Sequence, residues 1–220
     1  MQIVDIWNNA MGQIGQGTHI DNVNEVSFEA RTCKRLFEPV LNQCLDSYNW
    51  SFARKDEVIT KDNLVTTTDA DGNTVEIVSL PWRHSYTLPD DVMRVLFLTP
   101  LNANSDAERI GYLDEIRFNF RNYADKKVLV TDAEPDFAVH YQAYTDNIAL
   151  FSPSFIHALE FYLASGLAGT IVKGSIGYQM SLDLLKYAEQ FLNRAISLDS
   201  QQGANSIEKK VQPASIRARR

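Results

Sequence analysis

Cysteine is scarce in this chain of 220 residues, which contains two. Cys33 and Cys44 lie eleven positions apart in what reads as one helix, about 16 Å along its axis at ~1.5 Å per residue. That is beyond the roughly 7 Å over which two Cα atoms can be bridged. Both fall on the apolar stripe of that helix, so they are expected as small buried hydrophobes, with no disulfide framework. Long apolar runs are missing as well, since nothing approaches the ~18 residues that a membrane-spanning helix needs. Met1 to Asp5 lacks the charged and apolar regions of a signal peptide. Neither secretion nor membrane spanning is expected, and synthesis in a cytoplasm is.

Catalytic signatures are also wanting. His19, His84, His140 and His157 are scattered, with no pair at metal-ligand spacing and no cysteine beside them. No Gly-x-Ser-x-Gly elbow, P-loop or dinucleotide fingerprint occurs. Gly12-Gln13-Ile14-Gly15-Gln16-Gly17 is glycine-rich but has no strand before it, so it reads as a helix stop and not as a phosphate cradle. Asp90-Asp91 is expected to be a solvated turn, because adjacent residues there point apart. These absences point away from an enzyme, and no cofactor or metal is expected.

What the sequence does have is a hydrophobic content of 45%, enough for a sizeable core, and an uneven charge. From Ile207 to Arg220 five cations, Lys209, Lys210, Arg217, Arg219 and Arg220, face Glu208 alone, a balance of +4; the formal charge of -7 therefore leaves -11 on the rest. An acidic body argues against ordinary nucleic-acid binding across its surface, since phosphate affinity comes from Lys and Arg.

Periodicity gives the organisation. Ile3, Ile6, Trp7, Ala10, Met11 and Ile14 mark one helical face, ended by Gly15 and Gly17. A second helix is expected from a cap at Asn24 to about Tyr48, with Val26, Ala30, Cys33, Phe37, Val40 and Cys44 on one side, and with a kink or break at Pro39. Short β-prone runs follow: Val58 to Thr68 and Thr74 to Leu80 around a turn at Asp69-Ala70-Asp71-Gly72-Asn73, then Val92 to Thr99, Ile116 to Phe120, Lys127 to Val130 and Phe137 to Thr145. The acidic turn departs from EF-hand spacing, so a hairpin is preferred to a calcium loop. Ile116 to Phe120 and Val139 to Tyr144 alternate with period two and should each bury one face and wet the other. Ser152-Pro153 caps a further helix rich in small residues, Gly174 and Gly177 mark a turn, and Tyr178 to Ile196 form a last helix. The expected fold is α+β: a helical bundle of residues 1–55 and 151–199, an inserted antiparallel β lobe of 56–150, and a flexible basic C-terminal arm of 200–220.

Several phrases resemble those of the tail tubular protein A family, the head-to-tail adaptors of podophages and related tailed phages. The opening Trp7-Asn8-Asn9-Ala10-Met11-Gly12-Gln13-Ile14-Gly15 resembles that family's first helix, an Asn-x-Ala-Leu-x-x-Ile-Gly pattern, with Met11 in place of leucine. Ala30, Cys33, Leu45, Trp50, Phe52 and Ala53 resemble a long helix that ends in Trp-x-Phe-Ala, followed here by Arg54 and Lys55; Phe37 stands where tyrosine is common, and Pro39 is a departure. Tyr86-Thr87-Leu88-Pro89-Asp90-Asp91-Val92-Met93-Arg94-Val95 is similar to Tyr-x-Leu-Pro-x-Asp-Cys-x-Arg-Val, with Val92 replacing the cysteine. Tyr141 and then Phe151, Pro153, Phe155, Ala158, Leu159, Leu163, Ala164 and Ala168 resemble a Phe-x-Pro-x-Phe-x-x-Ala-Leu stretch. The likeness runs in order over about residues 3 to 200.

The resemblance implies a virion protein without catalytic residues. It would form a dodecameric ring beneath the phage portal protein, extend the channel through which DNA passes without sequence-specific binding, and provide the platform for the tail nozzle. Lys209, Lys210, Arg217, Arg219 and Arg220 are the candidate partner-binding residues, directed at an acidic surface of the portal or a neighbouring subunit. The rivals are a virion-associated hydrolase built from scattered carboxylates such as Asp91 and Asp114, and a regulatory module that meets nucleic acid through its basic tail.

Overall fold

The computed structural model describes residues 1–101 and 116–204. Among the described residues it is an α+β protein with four α-helices and three small antiparallel sheets. The helices are α1 (Ile3–Gln13), α2 (Phe28–Asp46), α3 (Pro153–Ile171) and α4 (Gly174–Ala204). The strands are β1 (Arg54–Ile59), β2 (Thr66–Thr68), β3 (Thr74–Glu76), β4 (His84–Thr87), β5 (Val92–Pro100), β6 (Phe118–Tyr123), β7 (Lys126–Thr131) and β8 (Phe137–Ala143). Among the described residues they divide into two compact units: Met1–Ala53 gathers with the segment that begins at Tyr144, and Arg54–Ala143 belongs to the other unit.

In the helical unit, α1 ends where Gly15 takes φ of +73°, a left-handed conformation that glycine adopts without strain. The start of α2 differs from the expectation: Ser27 Oγ, and not Asn24, accepts the capping bond, from Ala30 N at 3.2 Å, so Val26 lies outside the helix and is exposed. Nor does Pro39 divide α2, which is continuous. Pro39 and Arg35 both lie on the exposed side, so the Arg35 carbonyl that loses its donor is open to water. The buried face of α2, including Cys33, Phe37, Leu41 and Cys44, meets α3, and α1 packs on α3 as well.

Ser152 caps α3, with Pro153 at its first position, as the sequence indicates. The small residues of α3 act where helices approach: a Cβ on Gly166 would meet Leu36 Cδ1 at 3.3 Å. At the α3–α4 turn a Cβ on Gly177 would come within 2.8 Å of the Ala168 carbonyl oxygen, so only glycine fits. The last helix is longer than expected. Residues 200–204, assigned above to a flexible arm, continue α4, because the stripe of Leu184, Ala188, Leu192, Ala195 and Asp199 carries burial almost to its end. The remainder of the arm, with Lys209, Lys210, Arg217, Arg219 and Arg220, lies outside the described residues.

In the β unit the sheet orders are β1-β8-β5, β2-β3 and β4-β7-β6. Asp69 Oδ1 accepts from the N–H groups of Asp71 and Asn73 at 2.9 and 2.8 Å, which closes the β2–β3 hairpin; those backbone bonds, Asn73's first, hold its carboxyl below the usual range. The single run expected from Val58 to Thr68 is instead β1, a 3-10 turn and β2. Thr60 and Asn63 divert the chain by bonding their side chains to its backbone. β6 alternates as expected, but β8, the central strand between β1 and β5, is buried on both faces. Tyr86, Leu129, Phe137, Val139 and Tyr141 form the core of the unit, with Tyr86 and Phe137 edge to face at 5.2 Å and the Tyr86 hydroxyl donating to the Ala133 carbonyl at 2.9 Å.

Candidate functional site

Polar groups inside apolar surroundings are the natural candidates, because burial penalises them unless they are paired. In the helical unit the foremost is Glu160. Its place in Ala158-Leu159-Glu160-Phe161-Tyr162 puts a carboxylate on a helix that is otherwise buried there, and the side chain is 3% exposed. Asn9 Nδ2 of α1 donates to Glu160 Oε1 at 2.6 Å, and His157 Nδ1, one turn earlier on α3, lies 3.0 Å from Oε2. Asn8 meanwhile clasps the backbone of Ile20, both bonds at 2.9 Å, and so ties the chain after α1 to that helix. The carboxylate borders a cleft of about 440 Å³ whose lining includes Asn8, Gln13, Phe161 and Phe191. Phe161 and Phe191 stack at 5.0 Å within a row that runs His157, Phe191, Phe161, Tyr187, alternating between α3 and α4.

In the β unit, two clusters link neighbouring strands of the β1-β8-β5 sheet. Asp91 is not the solvated turn residue expected of it. Its Oδ2 receives Lys55 Nζ at 2.6 Å and its Oδ1 receives the Tyr141 hydroxyl at 3.2 Å. Burial, reinforced by the charges of Asp91 and Glu57, pushes the Tyr141 hydroxyl up, so it serves as a donor. A pair in register across β1 and β8 supplies the second cluster: His140 Nδ1 lies 2.5 Å from Asp56 Oδ1 and its Nε2 lies 2.8 Å from Thr99 Oγ1 on β5, with Phe97 stacked on the imidazole at 4.3 Å. Carboxylate, imidazole and hydroxyl in that order can pass a proton. Asp56 is 70% exposed, which weakens its hold on the imidazole.

Other polar candidates have structural roles or fall outside the described residues. Burial pushes the thiols of Cys33 and Cys44 up to about 12, which makes them unreactive packing groups. His84 is bracketed by Glu76 at 2.8 Å and Glu134 at 3.5 Å. Among the described residues no group of three or more His, Cys, Asp or Glu could hold a metal ion, and no helix is long and apolar enough to cross a membrane. Asp114 and the five basic residues from Lys209 to Arg220 lie outside the described residues. Sequence reading missed Glu160, Asn9 and the Asp56–His140–Thr99 cluster. Glu160 had a signal, an acid within an apolar helical run; the cluster had none, because its members are brought together only by strand register. Neither the protein-family models nor the curated proteins compared with this chain match it.

Proposed function

We propose that this chain is a structural head-to-tail adaptor of a tailed bacteriophage. Copies of it would form a ring beneath the portal, extend the DNA channel and carry the tail. The observation that best supports the reading is the surface of α4. Its buried face is flanked on one side by Ile176, Tyr187 and Leu198, which recur every eleven residues and are 71%, 51% and 42% exposed. On the other side stand Tyr178 and Leu182. Apolar residues on two different flanks suit a subunit that joins its neighbours head to tail, as a ring requires. The residues that carry the resemblance are mainly core residues, Trp7, Trp50, Tyr86 and Phe155 among them, so it is a likeness of architecture. In this role the cations from Lys209 to Arg220 meet an acidic surface of the portal or a neighbouring subunit. Sedimentation and electron microscopy of the chain mixed with portal protein test the role. Rings are expected for the parent, and Tyr187→Glu should abolish them without lowering the melting temperature. A parent that stays monomeric and never joins portals would overturn the reading.

A second reading, acyl-group hydrolysis, is favoured by the Asp56–His140–Thr99 geometry alone. Thr99 Oγ1 would attack an ester carbonyl as His140 Nε2 takes its proton; His140 then returns that proton to the leaving alkoxide, and water releases the acyl group from Thr99. Measured against an activated ester, turnover that Thr99→Val and His140→Gln both abolish would support it. Turnover no faster than buffer, or unchanged in both variants, would remove it.

A further inference from the structure

The two ends of the β4-β7-β6 sheet are unlike. Register places Lys126 and Val128 of β7 at one end, with Tyr123 and Thr87 beside them, and Thr131 at the other, beside His84 and Phe118. β7 is six residues long and sets these ends about 17 Å apart at ~3.3 Å per residue. The first end is hollow. A cleft of about 640 Å³ opens there, with Leu88, Val92 and Val128 in its apolar lining and Lys126, Lys127 and Asp90 as its charges, a surplus of one positive. Cavities of about 300 to 1,000 Å³ suit a bulky, mainly apolar occupant. The second end is acidic and carries an apolar projection. His84 lies between Glu76 and Glu134, and Asp132 Oδ1 accepts from Arg83 N at 3.1 Å, so Glu76, Asp132 and Glu134 gather about Arg83. Shortly before Arg83 on the chain come Val78 and Leu80, 52% and 85% exposed. A leucine so exposed fills no cleft of its own copy, and it forgoes the gain that burial would bring.

We propose that Leu80 of one copy seats in the cleft beside Leu88 and Val128 of a second copy, so that β units join head to tail. Shape and polarity favour this occupant, since one end of the sheet offers an apolar hollow and the other an apolar projection. Charge favours it too. Lys126 and Lys127 at the mouth of the cleft would meet Glu76, Asp132 and Glu134 around the incoming loop, which selects this orientation over one that brings two like ends together. Each copy gives a leucine at one end and receives one at the other. A contact between two different surfaces is heterologous, and it closes into a ring when the rotation between copies allows. The inference deepens the ring reading, because it names a contact between copies, and it uses none of the α4 residues on which that reading rests.

Thiol cross-linking of the full-length protein tests the contact. Cys33 and Cys44 are buried, so a short bismaleimide reports introduced cysteines in the folded protein. One preparation carries Ser79→Cys, beside Leu80, and another carries Lys126→Cys, at the cleft. Mixed while dilute and then concentrated together, they should give cross-linked dimers in clear excess over either preparation alone. Leu80→Asp added to the first preparation should cut that yield at least about tenfold, the factor that ~1.4 kcal/mol of lost burial represents. Its melting temperature should be unchanged, because Leu80 is exposed within one copy. Mixed yields no greater than those of the separate preparations, or yields that Leu80→Asp leaves unaltered, would overturn the contact. A chain carrying both cysteines that links within itself as a monomer would place Leu80 near its own cleft and overturn the contact as well. The ring reading fails separately: electron microscopy of the parent with portal protein shows rings or does not, whatever the cross-linking yields.

Discussion

Trp50→Ala should lower the free energy of unfolding by about 3 to 5 kcal/mol, measured by urea denaturation. The indole is fully buried at the end of α2, its Nε1 donates to the Cys44 carbonyl at 2.9 Å, and its ring centroid lies 5.3, 5.6 and 4.8 Å from those of Tyr48, Phe52 and Phe155. Removing it opens a cavity among rings that cannot close over the gap, and it takes one of two donors from the Cys44 carbonyl, leaving Ser47 Oγ at 2.6 Å. The two contributions separate with Trp50→Phe. That variant keeps an aromatic ring but loses the donor, so it should cost about 1 to 3 kcal/mol. A loss below ~1 kcal/mol for Trp50→Ala would show that the cluster does not hold the helical unit together. A domain of this size has about 5 to 15 kcal/mol in all, so the alanine variant approaches the threshold for folding.

Asp199→Ala should cost about 3 kcal/mol by the same measurement, a large effect for a polar residue near the end of a helix. The carboxylate of Asp199, 7% exposed, accepts from Ser51 Oγ at 2.5 Å and from Ser51 N at 3.0 Å. It thereby satisfies backbone at the start of the turn Ser51–Ala53 and pins α4 to the segment that carries Trp50. Charge-assisted bonds of this kind contribute roughly 1.5 to 3 kcal/mol each. Asp199→Asn keeps an acceptor and should lose less. Ser200→Ala, at the exposed neighbouring position, should stay within about 0.5 kcal/mol. Equal stabilities for Asp199→Ala and Ser200→Ala would refute the anchoring role.

Asp199 also shows where the sequence was legible and where it was not. The spacing of Leu192, Ala195 and Asp199 places the acid on the buried stripe, yet the polar composition after Ser200 suggested that the helix had ended. Local composition is a weak guide when a long-range bond fixes the end of an element, and Ser51 is 148 positions away. The helices themselves followed from periodicity, as did the hairpin at Asp69 to Asn73. β4 was missed because four residues between two prolines, Pro81 and Pro89, offer too short a pattern. β8 was read as half-wet because alternation cannot reveal that both faces of a strand are covered. The Glu160 cleft needs residues from α1, α3 and α4 at once, and only the fold brings them together.

The interruption of one unit by the other has a consequence for the order in which the protein forms. Arg54–Ala143 contains the strands of both sheets that form its core, so that core is complete among the described residues once Ala143 has left the ribosome. The helical unit does not. Asn9 waits for Glu160, 151 positions later, and Ser51 waits for Asp199. At about 5 to 20 residues per second on the ribosome, α1 and α2 spend several seconds as unpartnered amphipathic helices while the inserted unit folds. Biogenesis thus runs from the middle outwards, and the first-made helices, with Trp7 in α1 and Trp50 just beyond α2, are the surfaces that a nascent-chain chaperone would shield.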